Sequence, residues 1–189
     1  SFTSSELITP GKAIQVIIPR KTIVELVKLL NDTDDPLEIS FSNNQVNFKF
    51  SDIDLITKVI DGKFPDYGRV IPEGHGNTFN INRALLLESM LRASILSNDK
   101  YRGIRMVVEE NNLKLVSNNS EQEQAEEELE VEYKGEKIDI GFNVTYLIDV
   151  LMNIQSDQLT IAFSDSNSSC LVTIPNNKKY KYVVMPMRI

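Results

Sequence analysis

One repeated pattern constrains the fold of this chain more than any other feature. Leu37-Glu38-Ile39-Ser40-Phe41-Ser42 returns as Leu159-Thr160-Ile161-Ala162-Phe163-Ser164. Both copies carry Leu-x-Ile-x-Phe-Ser, with large apolar residues at every second position, the pattern of a strand with one face buried. Each also follows a helical stretch and a turn. Gln15-Val16-Ile17-Ile18 reads as a strand and Arg20 to Leu30 as a helix, with Ile23, Leu26, Val27 and Leu30 along one face. Asn31 to Pro36 is a turn, and alternation returns at Val46, Phe48 and Phe50 and again over Leu55–Ile60. The last third runs in the same order. Lys137–Phe142 is a strand, and Asn143 caps a helix through Ile154. Turn 155–158 leads into the repeated motif, then Cys170–Ile174 and Tyr180–Met185. The middle third matches, with strand Thr78–Ile81, Asn82 capping a helix through Ile95, and alternating stretches around Ile104–Val108, Leu113–Leu115 and Leu129–Val131.

The unit is therefore strand, helix, strand, strand, strand, three times over. One unit holds too few apolar residues to close a core. Two facing units place a pair of helices on one face of a sheet. Asn77–Ile189 is then a complete two-unit α+β domain, and Ser1 to about Ile71 is an unpaired half. Pro65 to Gly76, rich in proline and glycine, reads as the linker.

Catalytic signatures are sparse. The single histidine, His75, sits between glycines of the linker, a poor setting for a nucleophile's base. No Cys/His spacing suits zinc, and no glycine-rich phosphate loop is present. The lone Cys170 lies in an alternating stretch and reads as a small core residue; no intrachain disulfide is possible. Glu121, Glu123, Glu126, Glu127 and Glu128 form the one dense acidic cluster. A two-metal site needs carboxylates converging from separate elements, so a solvated face or a charged contact fits this run better. A Mg²⁺-dependent nuclease using the run remains as a rival reading. No cofactor is expected. No apolar run approaches the ~20 residues of a membrane span, and neither a signal peptide nor a membrane partner is expected. Cytoplasmic placement follows as an expectation.

The net charge of −7 disfavours nucleic acid when taken alone, but does not locate the charges. Arg20 and Lys21 open the first helix, with Lys28 on the face of Lys21. Arg83 and Arg92 lie on the second helix, on nearly opposite sides. From spacing alone, ordinary solvated charge explains these residues better than DNA contact does. If DNA is bound, the contacts are to phosphates, without sequence readout.

Asp61-Gly62-Lys63-Phe64-Pro65-Asp66-Tyr67 and Tyr182-Val183-Val184-Met185-Pro186-Met187-Arg188-Ile189 resemble stretches of the bacterial DNA polymerase III beta subunits, the replicative sliding clamps. So do Ile95 to Gly103 and Ile140 to Val144, in family order along almost the whole chain. The resemblance implies the DNA-clamp fold of βαβββ units, two to a domain and three domains to a subunit. One and a half domains are expected here: residues 1–72 as the C-terminal half of the middle domain with its linker, and residues 73–189 as the last domain. The chain opens on Ser1 rather than Met, and the first domain and the start of the middle domain are expected to be missing from it.

The function implied is that of a processivity factor. Such a subunit catalyses nothing. It closes head-to-tail with a second copy into a ring around double-stranded DNA, and docks polymerase, clamp-loader and repair proteins by linear motifs in a peptide-binding groove. By position, the groove takes Pro65, Arg69 and Val70, then Tyr101, Asn143, Tyr146, Asn167 and Ser169, then Val183, Met185, Pro186, Met187 and Arg188. Asn167 stands where some relatives carry an apolar wall. Methionines flanking a proline suit a groove that repacks around different peptides; a plain core strand is the alternative. Arg20, Lys21, Lys28, Arg83 and Arg92 are the DNA-facing candidates. Ile95 and Leu96, with Glu121, Glu123, Glu126 and Glu127, would meet the neighbouring subunit's first domain. Without that domain, the chain alone is not expected to form the ring. A free-standing interaction module without a DNA role is the other rival.

Overall fold

The computed structural model describes residues 1–5, 14–30, 35–64, 66–71 and 76–189. The turn at 31–34, Pro65 and His75 lie outside the described residues. The chain divides into two compact units, one of Ser1–Glu6 with Tyr67–Ile189 and one of Leu7–Asp66.

In the larger unit, strands β5 (Asn77–Asn82) and β9 (Ile138–Asn143) each lead directly into a helix, α2 (Arg83–Ser94) and α3 (Val144–Met152). The junctions are set by asparagine caps. The Asn82 side chain accepts from Leu85 N–H, and that of Asn143 from Thr145 N–H, so each pairs one otherwise unmatched amide of the first turn. Strands β6 (Gly103–Glu109), β7 (Asn112–Asn118) and β8 (Gln124–Glu130) follow α2. Strands β10 (Gln158–Phe163), β11 (Cys170–Ile174) and β12 (Asn177–Val184) follow α3. Asn111 and Asn176 hold the left-handed conformation in the β6–β7 and β11–β12 turns, where asparagine costs less than most residues.

The repeat order is as expected, but the two repeats do not share one sheet. They exchange first strands. β5 of one lies along β10 of the other, and β9 of the second lies along β6 of the first. The result is one sheet ordered β1-β12-β11-β10-β5 and another ordered β8-β7-β6-β9, where β1 (Phe2–Thr3) adds an edge. α2 packs against α3. Ile104, Met106, Val108, Leu113 and Leu115 are fully buried, as are Phe142 and Phe163, whose rings meet at 6.3 Å between the two sheets. Cys170 is buried in the same core, and burial pushes its thiol far up, so it packs as an inert small residue.

One polar cluster closes this unit. The Tyr133 hydroxyl lies 3.0 Å from Asn77 Oδ1 and also bonds the Glu136 carbonyl, while Asn77 Nδ2 donates to the Ser164 carbonyl at 3.4 Å. Three segments are thus joined at a buried site. Tyr133→Phe leaves these acceptors short of a donor and is expected to cost about 1–2 kcal/mol, read as a lower urea midpoint at unchanged slope.

The smaller unit holds one repeat. α1 (Arg20–Leu29) packs Leu26 on Val46, Phe48 and Phe50 of β3 (Gln45–Phe50), flanked by β2 (Glu38–Phe41) and β4 (Ile53–Lys58). Thr22 and Thr57 share a 2.8 Å hydroxyl bond under the helix. Two expectations fail here, the strand at residues 15–18 and the half-burial of β2, and the apolar helix face lies partly open as an unpaired half implies. Residues 15–18 form no strand; only Ile17 bridges, to Ile60. The helix face is only partly covered, since Val27 is 69% exposed and Ile23 41%. β2 is exposed along its whole length, because among the described residues it is an edge strand with no strand beyond it.

Candidate peptide-docking cleft

The outer face of sheet β8-β7-β6-β9 carries an unusual pair of glycines. Gly103 on β6 and Gly141 on β9 lie among residues that alternate inward apolar and outward polar. The reason is close approach of the chain end. Met187 N–H donates to the Gly141 carbonyl at 2.8 Å, and the Ile189 side chain rests on both glycines. A Cβ on Gly141 would stand 2.6 Å from Ile189 Cδ1 and from the Met187 carbonyl oxygen; one on Gly103 would stand 3.3 Å from Ile189 Cδ1. The glycines are the seat on which residues 187–189 cross the sheet.

The crossing tail walls an open cleft of about 1020 Å³. Of the residues assigned to the expected groove, Tyr101, Asn167, Met187 and Arg188 line it. Its lining also includes Asn98, Gly103, Arg105, Asp139, Gly141, Ser166 and Ile189, which sequence reasoning missed. The interrupted alternation at Gly103 and Gly141 was the available signal. Asn98 Oδ1 accepts from Lys100 and Tyr101 N–H, and Arg102 takes a left-handed conformation, so the loop presents the Tyr101 ring outward with Lys100 over it at 5.2 Å.

The other described residues of the expected groove stand outside this lining. Asn143 Nδ2 donates to the Tyr101 carbonyl at 3.4 Å, and Tyr146 stands exposed on the first turn of α3. Ser169 donates to the Val70 carbonyl at 3.4 Å. Val183 is half-buried on β12, Val184 beside it is buried, and Met185 emerges 61% exposed before Pro186. Arg69 lies in the short 3-10 turn Tyr67–Arg69, and its side chain is outside the described set, as is all of Pro65.

Arg105 and Asp139 form a two-pronged ion pair within the cleft, Arg105 Nε donating to Asp139 Oδ1 at 2.6 Å. The Arg105 hydrogen bond, with its charge behind it, holds Asp139 below the usual carboxylate range. A depressed folded pKa makes this stabilisation present above the unfolded value of about 4 and lost as pH falls through the folded one. The pair is partly exposed and worth less than about 1 kcal/mol. Asp139→Asn is expected to lower Tm by no more than about 3 °C at neutral pH, with the difference vanishing in strong acid.

The basic candidates divide. Arg20, Lys21 and Lys28 are exposed on α1, Lys28 in a 3.2 Å pair with Glu25. Arg83 and Arg92 do leave opposite flanks of α2, and both guanidiniums are engaged inside the unit. Arg83 donates to the Ser156 and Leu151 carbonyls, and Arg92 to both carboxylate oxygens of Glu127. That hydrogen-bonded pair raises the Arg92 pKa and lowers that of Glu127.

The acidic run lies along one strand and the turn before it. Lys114 holds Glu126 at 2.5 Å, Glu127 faces Arg92, and the Glu123 carboxylate accepts from Asn119 Nδ2. Glu121 is exposed in the turn. Among the described residues no group of three or more His, Cys, Asp or Glu could hold a metal ion. Ile95 caps the C-terminus of α2 at 77% exposure, with Leu96 half-buried beside it. No helix of the described residues is long and apolar enough to cross a membrane.

Comparison with known proteins places these features in context. Residues 68–188 match the family model described as DNA polymerase III beta subunit, C-terminal domain, and residues 3–66 match the central domain of the same subunit. The beta sliding clamp of Pseudomonas aeruginosa is 47% identical over 175 residues, 93% of this chain and 48% of that protein. The Escherichia coli K12 clamp is 41% identical over 174 residues, 92% of this chain and 48% of the relative. A crystal structure of the Pseudomonas aeruginosa subunit superposes with a TM-score of 0.96 at 45% identity, covering 99% of this chain and 52% of that one. Another, of that organism's clamp bound to griselimycin, gives 0.94 at 45% identity, covering 99% and 51%. The chain spans about half the length of the curated relatives it matches.

Proposed function

Because this chain belongs to the DNA polymerase III beta subunit family, with the α+β clamp fold in about one and a half domains, we propose that it serves as the C-terminal part of a DNA sliding clamp. The proposed clamp encircles duplex DNA as a head-to-tail dimer and keeps the replicative polymerase at the primer end. It catalyses no step itself. Enclosure does the holding, so protein–DNA contacts need only be weak and sequence-independent. Arg20, Lys21 and Lys28 supply them by long-range attraction to phosphates. Arg83 and Arg92 would first have to leave their partners.

The observation that carries the proposal is the cleft walled by the chain end. A half-buried methionine, Met187, an exposed tyrosine, Tyr101, and a tail seated on two glycines surround a space open to solvent, with the exposed Met185 just before it in the chain. Short linear motifs of polymerase, clamp-loader and repair proteins would lie there, their apolar side chains against Met185, Met187 and Tyr101. Tethering raises the polymerase's effective concentration at its substrate. The exposed Ile95, with Leu96 and the acidic turn at Glu121 and Glu123, suits the contact with the neighbouring subunit. We place this activity in the cytoplasm, with residues 1–72 contributing to the middle domain and 73–189 forming the last.

Retention on DNA tests the topological claim. A protein of the relatives' full length carrying this sequence is expected to stay on circular duplex through gel filtration in salt and to leave when the circle is cut. Release that ignores linearisation would sink it.

A further inference from the structure

The floor of the cleft is bare where the tail crosses it and charged beside that crossing. On the outer face of β6 and β9, Arg105 stands opposite Gly141, and Val107 stands opposite Asp139. Gly141 offers no side chain, so Arg105 reaches past it to its diagonal neighbour Asp139. The pair uses one edge of the guanidinium. Nε donates to Asp139 Oδ1 at 2.6 Å and Nη2 donates to Oδ2. Asp139 is itself tied down, its backbone N–H donating to Ser166 Oγ at 3.3 Å. Nη1 and the second Nη2 hydrogen have no partner among the described residues, and the Arg105 side chain is 56% exposed. The guanidinium is a rigid planar fork, so fixing one edge also fixes the other. Arg105 therefore presents an oriented, unused pair of donors to the cleft that it lines.

The charges around it have one sign. The charged residues of the lining are Arg105, Asp139 and Arg188. Arg188 is exposed and makes no hydrogen bond or ion pair among the described residues. Asp139 offsets one of the two arginines, so the lining carries one surplus positive charge in a chain whose net charge is −7. On the far side of Arg105 lies Val116, and beyond Val116 in register lies Glu126. Lys114 holds that carboxylate at 2.5 Å, away from Arg105. The cationic ground is thus local to the cleft, next to the apolar wall at Met187 and Ile189.

We propose that the docking site extends past its apolar wall, and that Arg105 takes an aspartate or glutamate flanking the apolar residues of the bound peptide. The inference rests on the peptide-docking reading above and names the chemistry of the partner segment. The incoming carboxylate accepts from the free Nη edge, a charge-assisted bond, while Asp139 keeps the Nε edge. Asp139 acts as the positioning residue and Arg188 adds attraction. Because the chain as a whole is acidic, the preference is a matter of contact and not of long-range steering. It is expected to shrink as salt rises, since the pair is open to solvent.

Four labelled clamp-motif peptides test this by fluorescence anisotropy at low salt. Two carry a pair of aspartates just before or just after the motif, and two carry asparagines at the same places. At least one acidic peptide is expected to bind roughly fivefold tighter than its asparagine counterpart. In Arg105→Gln that preference is expected to fall below about twofold, while the asparagine peptides bind as they do to the unaltered protein. Arg105→Lys, which keeps the charge without the fork, is expected to retain part of the preference. Lys137→Gln, outside the lining, is expected to leave it intact. Equal binding of acidic and asparagine peptides, or a preference that survives Arg105→Gln, would overturn the inference and leave the docking site standing. Failure of all four peptides to bind would remove the docking site and the inference together.

Discussion

Gly141→Val is expected to weaken binding of a clamp-motif peptide by at least about tenfold, close to 1.4 kcal/mol, while the domain stays folded. The two halves of this outcome come from different neighbours. Gly141 faces outward on β9, between the buried Ile140 and Phe142. A valine there suits a strand and touches no core residue. Above it, however, a Cβ meets the Met187 carbonyl and the Ile189 side chain at 2.6 Å. A side-chain tip can turn away, but a backbone carbonyl held at hydrogen-bonding distance cannot. The tail must lift, the Met187–Gly141 bond breaks, and the cleft loses a wall. Tm is expected to move by only a few degrees, since the bond lies at the surface. Peptide affinity unchanged in a folded Gly141→Val protein would show that the tail is not part of the docking site.

The largest stability effect is expected at Phe163→Ala, about 3–5 kcal/mol. Phe163 is fully buried, and its ring meets Phe79 at 6.5 Å and Phe142 at 6.3 Å, which ties together strands of both sheets. Truncation leaves a cavity that two sheets cannot collapse to fill. The matched change in the smaller unit, Phe41→Ala, is expected to cost less than about 1 kcal/mol in the single chain, because Phe41 is already 44% exposed. Urea denaturation of both variants, followed at low protein concentration, measures the contrast. Equal losses would mean that the two copies of the motif are equally covered.

That contrast also marks how far the sequence could be read. The repeats were legible because alternation and helix capping are local. Asn82 and Asn143 announce helix starts, and Val46, Phe48 and Phe50 announce a buried face. The exchange of first strands was not legible. β5 and β9 would carry the same alternation beside either repeat, so only the packed structure decides the partner. Nor could periodicity show that Ile39 and Phe41 lie open, since burial depends on what stands beyond β2. Most of the tail's wall residues were readable from their resemblance to the clamp family. Their seat was not, because a glycine inside a strand signals close approach without saying of what. Arg83 and Arg92 show the same limit for charge. Their positions on α2 were plain, but the Ser156, Leu151 and Glu127 partners come from distant segments.

The proposed docking cleft on the outward face of the larger unit is the centre of this account, and Tyr182–Ile189 is its decisive segment. Fluorescence anisotropy of a labelled clamp-motif peptide titrated with the protein tests it most directly. The account predicts saturable one-to-one binding, weakened at least about tenfold by Met185→Ala with Met187→Ala. Absence of binding, or equal affinity in the double variant, would contradict it.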